Sequence, residues 1–334
     1  MRRLDPLLQL AGPMVLVVIA GLLTTVASRS TSIYLVNAIV AAAIVVGIYV
    51  FVGNSGVISF GHVSFVAVGA FAAGVLTVPP ELKAAVLPDL FPVLRDHTIG
   101  TGASLAVATL VGAALAGLVG LPLMRLSGLA AGIATFAVLE ITHNLLREWT
   151  SIGPGATTLS LVPESTGALE ATLGASLVIL VAFGYQRSRF GRMLRASRED
   201  PAAAQAVGIS VHRQRLWAFT LSGALCGFAG GLYVHMLGSI TTEQVYLDLT
   251  FLTLAMLVVG GATSLFGAVV GALAISGLDA FLGEAEQGID VGFAIDAPAG
   301  TRLVVVSALM ALVLILRPSG LTGGREFGWR RRAL

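Results

Sequence analysis

The chain has 334 residues, 56% hydrophobic and 11% charged, with a formal net charge of +2 and a mean hydropathy of +0.91. So little polar surface cannot cover a soluble globule of this length, which excludes a water-soluble domain and defines a polytopic membrane protein. Lys83 is the only lysine, and Glu81-Leu82-Lys83 lacks the glycines that precede a P-loop lysine, so a Walker-type ATPase site is excluded too.

At the N-terminus, Arg2, Arg3, the apolar run from Gly12 to Val26 and Ala27 have the outline of a signal peptide. Asp5-Pro6 sits awkwardly in such a segment, and an uncleaved first span suits the topology better. Ten apolar segments are long enough to cross the hydrocarbon core as helices, predicted at 10–28, 31–52, 57–78, 100–121, 127–147, 168–186, 212–236, 245–262, 265–282 and 300–316. The 40 glycines and abundant alanine suit close helix packing in lipid. The fold class is all-α, with residues 1–334 forming one transmembrane domain.

The third span opens on Gly53-Asn54-Ser55-Gly56-Val57-Ile58-Ser59-Phe60-Gly61-His62-Val63-Ser64-Phe65. Three glycines and several serines predict backbone that departs from plain helix, which a membrane tolerates only where protein or water covers it. Ser59, His62 and Ser64 are candidates for a translocation pathway; a histidine bridging helices in the interior is the plainer reading of His62. Pro79 to Gly100 and Glu148 to Glu170 are outer segments predicted as loops or short surface helices. They either receive a substrate-delivery partner or simply connect spans.

The fifth span carries Thr135, Glu140, His143, Asn144 and Arg147. Glu140, Asn144 and Arg147 share one helical face. A carboxylate at membrane depth costs roughly 2.5 to 3.5 kcal/mol on insertion scales, so it faces the bundle or a watery path. Thr135, Glu140 and Asn144 join the pathway candidates; an ion pair of Glu140 with Arg147 is the structural alternative. Glu140 reads as nearly alone at depth.

Residues 187–215 form the longest polar stretch, with arginines at 187, 189, 192, 195, 198, 213 and 215. Within it, Asp200 suits a helix N-cap, Pro201 the first helical position, Ala202 to Ala204 the turn, and Gly208 a left-handed stop. The expected product is a short, smooth helix in a basic cytoplasmic loop, shaped for docking to a partner or for lying on anionic lipid. Cys226 is alone and reads as a small core residue. Gly260 to Gly267 reads as a tight turn between spans rather than a nucleotide loop.

With the N-terminus in the cytoplasm, 15 arginines fall inside (2, 3, 125, the seven of the loop, 317, 325, 330, 331 and 332), leaving Arg29, Lys83, Arg95, Arg147 and Arg302 outside. That division obeys the positive-inside rule and makes both termini cytoplasmic. The outer loop with Glu284, Glu286, Asp290 and Asp296 is consistent with it.

Together these stretches carry a resemblance. Ser59-Phe60-Gly61-His62 with Phe65 and Gly69-Ala70-Phe71, Leu129 to Thr135 leading to Glu140, Gly191-Arg192 through Gly208, Ser222 to Leu232, and the Gly260-Gly261 turn occur in an order similar to permease subunits, of the M type, of branched-chain amino acid ABC importers. The resemblance covers roughly residues 35 to 320. It implies a type II ABC importer-like bundle whose cytoplasmic coupling helix sits in a cleft of an ATPase subunit. Arg195, Glu199, Asp200, Ala202, Ala203 and Gly208 would form that coupling element. Implied partners are a homologous second permease, two ABC ATPase subunits, an extracytoplasmic substrate-binding protein and membrane lipid, with no nucleic acid. ATP and Mg would bind the ATPase; this chain would bind no cofactor or metal and catalyse no reaction. The implied location is the bacterial inner membrane.

Phe71 stands where tyrosine is common in that family, and Pro201 follows Asp200 where another residue is common. Urea or amide permeases share the same framework, so the spans do not name the cargo. A secondary transporter needs ion-coupling charges in several spans. An intramembrane enzyme needs clustered polar catalysts, and His62, His143 and His235 have no motif that gathers them.

Overall fold

The computed structural model describes residues 4–287, 289–290, 294–295, 298, 300–317 and 319–327. Arg2, Arg3, Asp296, Arg330, Arg331 and Arg332, which enter the charge count above, lie outside them. The helices run in the order α1 (Leu4–Leu23), α2 (Arg29–Ser55), α3 (His62–Thr77), α4 (Pro80–Val86), α5 (Pro92–Arg95), α6 (Thr101–Leu123), α7 (Gly128–Glu148), α8 (Ala168–Arg187), α9 (Arg189–Glu199), α10 (Pro201–Ala206), α11 (Val211–Leu237), α12 (Leu247–Gly260), α13 (Leu265–Gln287) and α14 (Thr301–Leu316). A two-stranded antiparallel pair, β1 (Ile289–Asp290) and β2 (Ala294–Ile295), separates the last two helices. The protein is thus a multi-pass helical membrane protein.

Each predicted span falls on a helix, but with shifted bounds. Seven helical segments meet the length and hydropathy of a membrane span; α1, α3 and α14 are apolar but shorter in their described apolar parts. α1 starts six residues earlier than expected, at Leu4, so Asp5 and Pro6 lie in its first turn, where a missing N–H breaks no helical bond. α3 starts at His62 rather than 57, because residues 56–61 are irregular. Ser55 Oγ accepts the Val57 N–H (3.1 Å) at the start of that break. Of the two segments expected outside, the first holds α4 and α5, whereas the second turns at 150–157, runs without regular structure to α8 and forms one bridge, Leu159 to Ile240.

The core is built around α2 and α11. From Val36 onward α2 is almost wholly buried, packed by α11, α13 and α8, while α11 lies against α6, α3 and α2. Small residues make this possible. A Cβ on Gly227 of α11 would run into the Ala108 and Gly112 backbone of α6, so the two helices touch main chain to main chain. In lipid, that close approach supplies the dispersion attraction that replaces the hydrophobic effect between spans.

Hydrogen bonds define two ends of the bundle. At one end Arg198 Nη1 donates to Gly53 O (2.8 Å), Arg187 Nη1 to Gln9 Oε1 (3.4 Å), Arg215 Nη1 to Leu126 O (3.1 Å) and Ser264 Oγ to Arg325 O (2.9 Å). This end therefore gathers the start of α1, the end of α2, the α6–α7 turn, α9, α10, the α12–α13 turn and residues 319–327. At the other end lie α4, α5, the Leu159–Ile240 bridge and the start of α12. Lys83 of α4 is buried there, donating to Leu94 O (2.7 Å) and His97 O (2.6 Å), and burial lowers the pKa of its ammonium.

Candidate functional site

The polar stretch is more ordered than its sequence predicted. In place of a loop with one helix, α8 breaks at Ser188, whose Oγ accepts the Gly191 N–H (3.2 Å) and starts α9. α9 places Leu194 and Ser197 inward, so it is an amphipathic helix clamped to the bundle. The chain then turns at Asp200, whose carboxylate accepts the N–H groups of Ala202 (2.9 Å) and Ala203 (3.0 Å). Pro201 occupies the first turn of α10. Gly208 closes it at φ +85°, with Gly208 N donating to Gln205 O and Ile209 N to Ala204 O, both 2.9 Å, the paired bonds of a left-handed helix stop. Ala202, Ala203 and Val207 are exposed and Ala204 is buried, so α10 presents a small, smooth knob.

Arg195 and Arg198 do not share that exposed knob. Arg195 Nη2 donates to Gln186 O (2.6 Å) and Arg198 holds the end of α2 while pairing with Glu199 (2.6 Å). Both line a cavity of about 690 Å³ together with Arg187, Arg192 and Arg325. Glu326 is the one carboxylate in its described lining. It accepts the Leu265 (2.9 Å) and Phe266 (3.2 Å) N–H groups at the start of α13, yet burial raises its pKa above the ordinary carboxylate value.

The pathway candidates separate into two groups. Ser59, His62, Ser64 and Thr135 are all buried. His62 Nδ1 is hydrogen-bonded to Ser59 Oγ (2.8 Å), and Phe60 N donates to Thr135 Oγ1 (3.2 Å), which ties the irregular 56–61 segment to α7. Phe51, Phe65 and Phe219 surround the His62 ring at 5.2–5.7 Å between centroids. His62 Nε2 and Ser64 Oγ have no hydrogen-bond partner among the described residues. This group is a buried junction between the 56–61 break, α3 and α7.

Glu140 and Asn144 lie on the other side of α7, on a face with Ile133, Ile141 and Leu145 that this chain leaves open. Asn144 Nδ2 donates to Glu140 Oε1 (2.9 Å). The alternative pairing of Glu140 with Arg147 does not occur: Arg147 reaches Glu243 (3.7 Å) and Glu148 (4.0 Å) instead. Glu140 accepts the Tyr246 hydroxyl, and the Tyr246 ring stacks on His143 at 3.9 Å and 13°. Tyr246 and Glu243, which bind α7 to the approach to α12, were not singled out in the sequence. The polar run Thr241 to Gln244 before a span was the available signal.

Glu140 is also not alone. Asp248 lies in the first turn of α12, and Asp279 lies within α13, 2.6 Å from Arg302 Nε of α14. The sequence reading missed them because each falls near a span end, where position along the chain does not reveal a cross-helix partner. Among the described residues no group of three His, Cys, Asp or Glu side chains is placed to hold a metal.

A bundle of apolar helices crossing main chain to main chain, with a capped polar hairpin at one end, is the architecture of a multi-pass membrane protein. The family described as branched-chain amino acid transport system / permease component matches residues 30–314, and the chain belongs to it. The chain is 27% identical to the high-affinity branched-chain amino acid transport system permease protein LivM of Escherichia coli (strain K12) over 82% of its own length and 66% of that protein's. It is 32% identical to the probable branched-chain amino acid transport permease protein LivH of Methanocaldococcus jannaschii over 44% of this chain and 46% of that one. Similarity extends to the autoinducer 2 import system permease protein LsrC of Klebsiella pneumoniae, at 31% identity over 45% of this chain and 47% of that one. No solved structure matches the chain.

Proposed function

We propose that this chain is one permease subunit of an ATP-driven importer of branched-chain or related small amino acids, in a bacterial inner membrane. It works as a single domain of ten spans with α10 and both termini on the cytoplasmic side. One observation carries the need for a second permease. Glu140 lies twelve residues into α7, about 18 Å along its axis, on a face of exposed aliphatic side chains that this chain does not cover. A carboxylate at that depth is not stable against lipid, so protein or a watery path covers it. A homologous permease covering this face leaves Glu140, Asn144 and Tyr246 at the seam through which cargo passes.

The α9–α10 hairpin is the second support. Asp200 and Gly208 lock α10 at both ends, and Arg198 ties the hairpin to α2, so a push on the knob reaches the core helix as rigid-body motion. Each of two ATPase subunits, carrying ATP and Mg, would grip one such knob, and a binding protein would deliver cargo to the opposite face. Relatives named for autoinducer 2 and fructose give non-amino-acid cargo as the rival reading.

Co-purification from native membranes tests the assembly: tagged chain should bring down an ATPase and a second permease. Thiol labelling of Ala202→Cys should occur from the cytoplasm only. A lone chain that transports without ATP, or labelling of Ala202→Cys from outside, would refute the proposal. In the assembled importer, Glu140→Gln should lower leucine uptake and the ATP hydrolysis coupled to it.

A further inference from the structure

A cavity of about 610 Å³ opens between α12, α13 and α14 at the end of the bundle opposite α10. That is within the roughly 300–1,000 Å³ of small-molecule sites. Its chemistry changes with depth. Asp248 in the first turn of α12, Glu286 at the end of α13, and Arg302 in the first turn of α14 lie at its mouth. One to two turns further in, Leu252 and Ala255 of α12 face Val306 and Met310 of α14. The helices start or end together here, so this order follows from the rise per residue alone: Ala255 lies about 10 Å below Asp248 along the helix axis.

The charges at the mouth are unequally engaged. Arg302 Nε holds Asp279 Oδ1 at 2.6 Å, and Glu286 Oε1 accepts the Arg302 backbone N–H at 2.7 Å. Among the described residues, the Arg302 side chain has no partner besides Asp279, and the Asp248 carboxylate has none. A guanidinium engaged on one edge by Asp279, a carboxylate without a partner among the described residues and an aliphatic floor are the complements of a carboxylate, an ammonium and an apolar side chain on one small molecule. The Asp279–Arg302 pair also borders a second cavity of about 240 Å³ beside Tyr34, Asn37 and Ser276, and so forms a partition between the two.

We propose that the α12–α14 cavity binds a zwitterionic amino acid with an aliphatic side chain, its carboxylate on Arg302, its ammonium on Asp248 and its side chain on Leu252, Ala255, Val306 and Met310. This rests on the importer reading above and assigns to this chain a selectivity site of its own, separate from that of any binding protein. The Asp279–Arg302 pair holds the guanidinium in place.

Two measurements on the purified importer in nanodiscs distinguish the site from the function. The first is equilibrium binding of radiolabelled leucine, alanine and phenylalanine with the binding protein left out; the second is leucine uptake in proteoliposomes with it present. Wild type should bind leucine more tightly than alanine. Ala255→Leu, which fills the floor, should weaken leucine binding by roughly tenfold or more and alanine by much less. Leu252→Ala, which enlarges the floor, should shift preference toward phenylalanine, and it serves if size exclusion shows that Ala255→Leu does not assemble. Asp248→Asn should weaken all three alike. Leucine uptake without direct binding, or binding whose selectivity neither floor variant alters, overturns the site and leaves the importer reading standing. Absence of leucine uptake in wild type overturns both.

Discussion

If α10 transmits force, its N-cap is the most economical place to loosen it. Asp200→Ala removes the acceptor for the Ala202 and Ala203 N–H groups (2.9 and 3.0 Å) and leaves the rest of the six-residue helix in place. A helix this short has no stability of its own, so its ends carry it. Losing an aspartate cap costs about 1 kcal/mol, or roughly a fivefold fall in the ratio of formed to frayed α10. Uptake per ATP hydrolysed in proteoliposomes should fall by a similar factor, with faster amide exchange confined to residues 201–208. Asp200→Asn also caps and should stay within about twofold of wild type. If Asn is as damaging as Ala, the charge and not the cap matters; if Ala leaves exchange at α10 unchanged, the capping argument is wrong.

Three further outcomes follow from the geometry. A Cβ on Gly271 would meet Met256 O and the Gly260 backbone, so Gly271→Val should lower detergent-state stability by roughly 3 kcal/mol or more, whereas Gly184→Ala, with open space around it, should be neutral or slightly stabilising in a thermal scan. Burial holds the Glu326 carboxyl above its ordinary pKa, so between the ordinary and raised values the folded state binds more protons than the unfolded one. Its contribution to stability therefore diminishes as pH rises through that window, and Glu326→Gln should flatten the thermal midpoint against pH there. Tyr246→Phe keeps the stack on His143 but removes the donor to Glu140. Uptake should fall with complex size unchanged, and full uptake would remove the α7–α12 tie from the transport cycle.

Much of this molecule is written in local patterns. Runs of apolar residues fall on helices because lipid leaves a spanning backbone no other way to satisfy its polar groups. The Asp200-Pro201 start and Gly208 stop are equally local: a cap, a fixed φ and a left-handed turn are properties of a few adjacent residues. The break at residues 56–61 was legible for the same reason, since glycine and serine weaken helix wherever they cluster.

Partnership across helices was not legible. Sequence spacing put Glu140 and Arg147 on one face and left a pair between them as an alternative, but Arg147 turns to Glu243, and Glu140 to Tyr246, 106 residues away. The Arg195 bond to the Gln186 carbonyl is likewise a cross-helix contact that spacing along the chain does not reveal. Asp248, Asp279 and Arg302 looked like unrelated charges near span ends until three helix ends met around one cavity. Composition and periodicity report what each segment needs from its solvent, so the sequence by itself determined the membrane class, the helices and the capped knob. Which side chains satisfy one another depends on how the helices are rotated and how closely glycine lets them approach, and that only the tertiary structure decided.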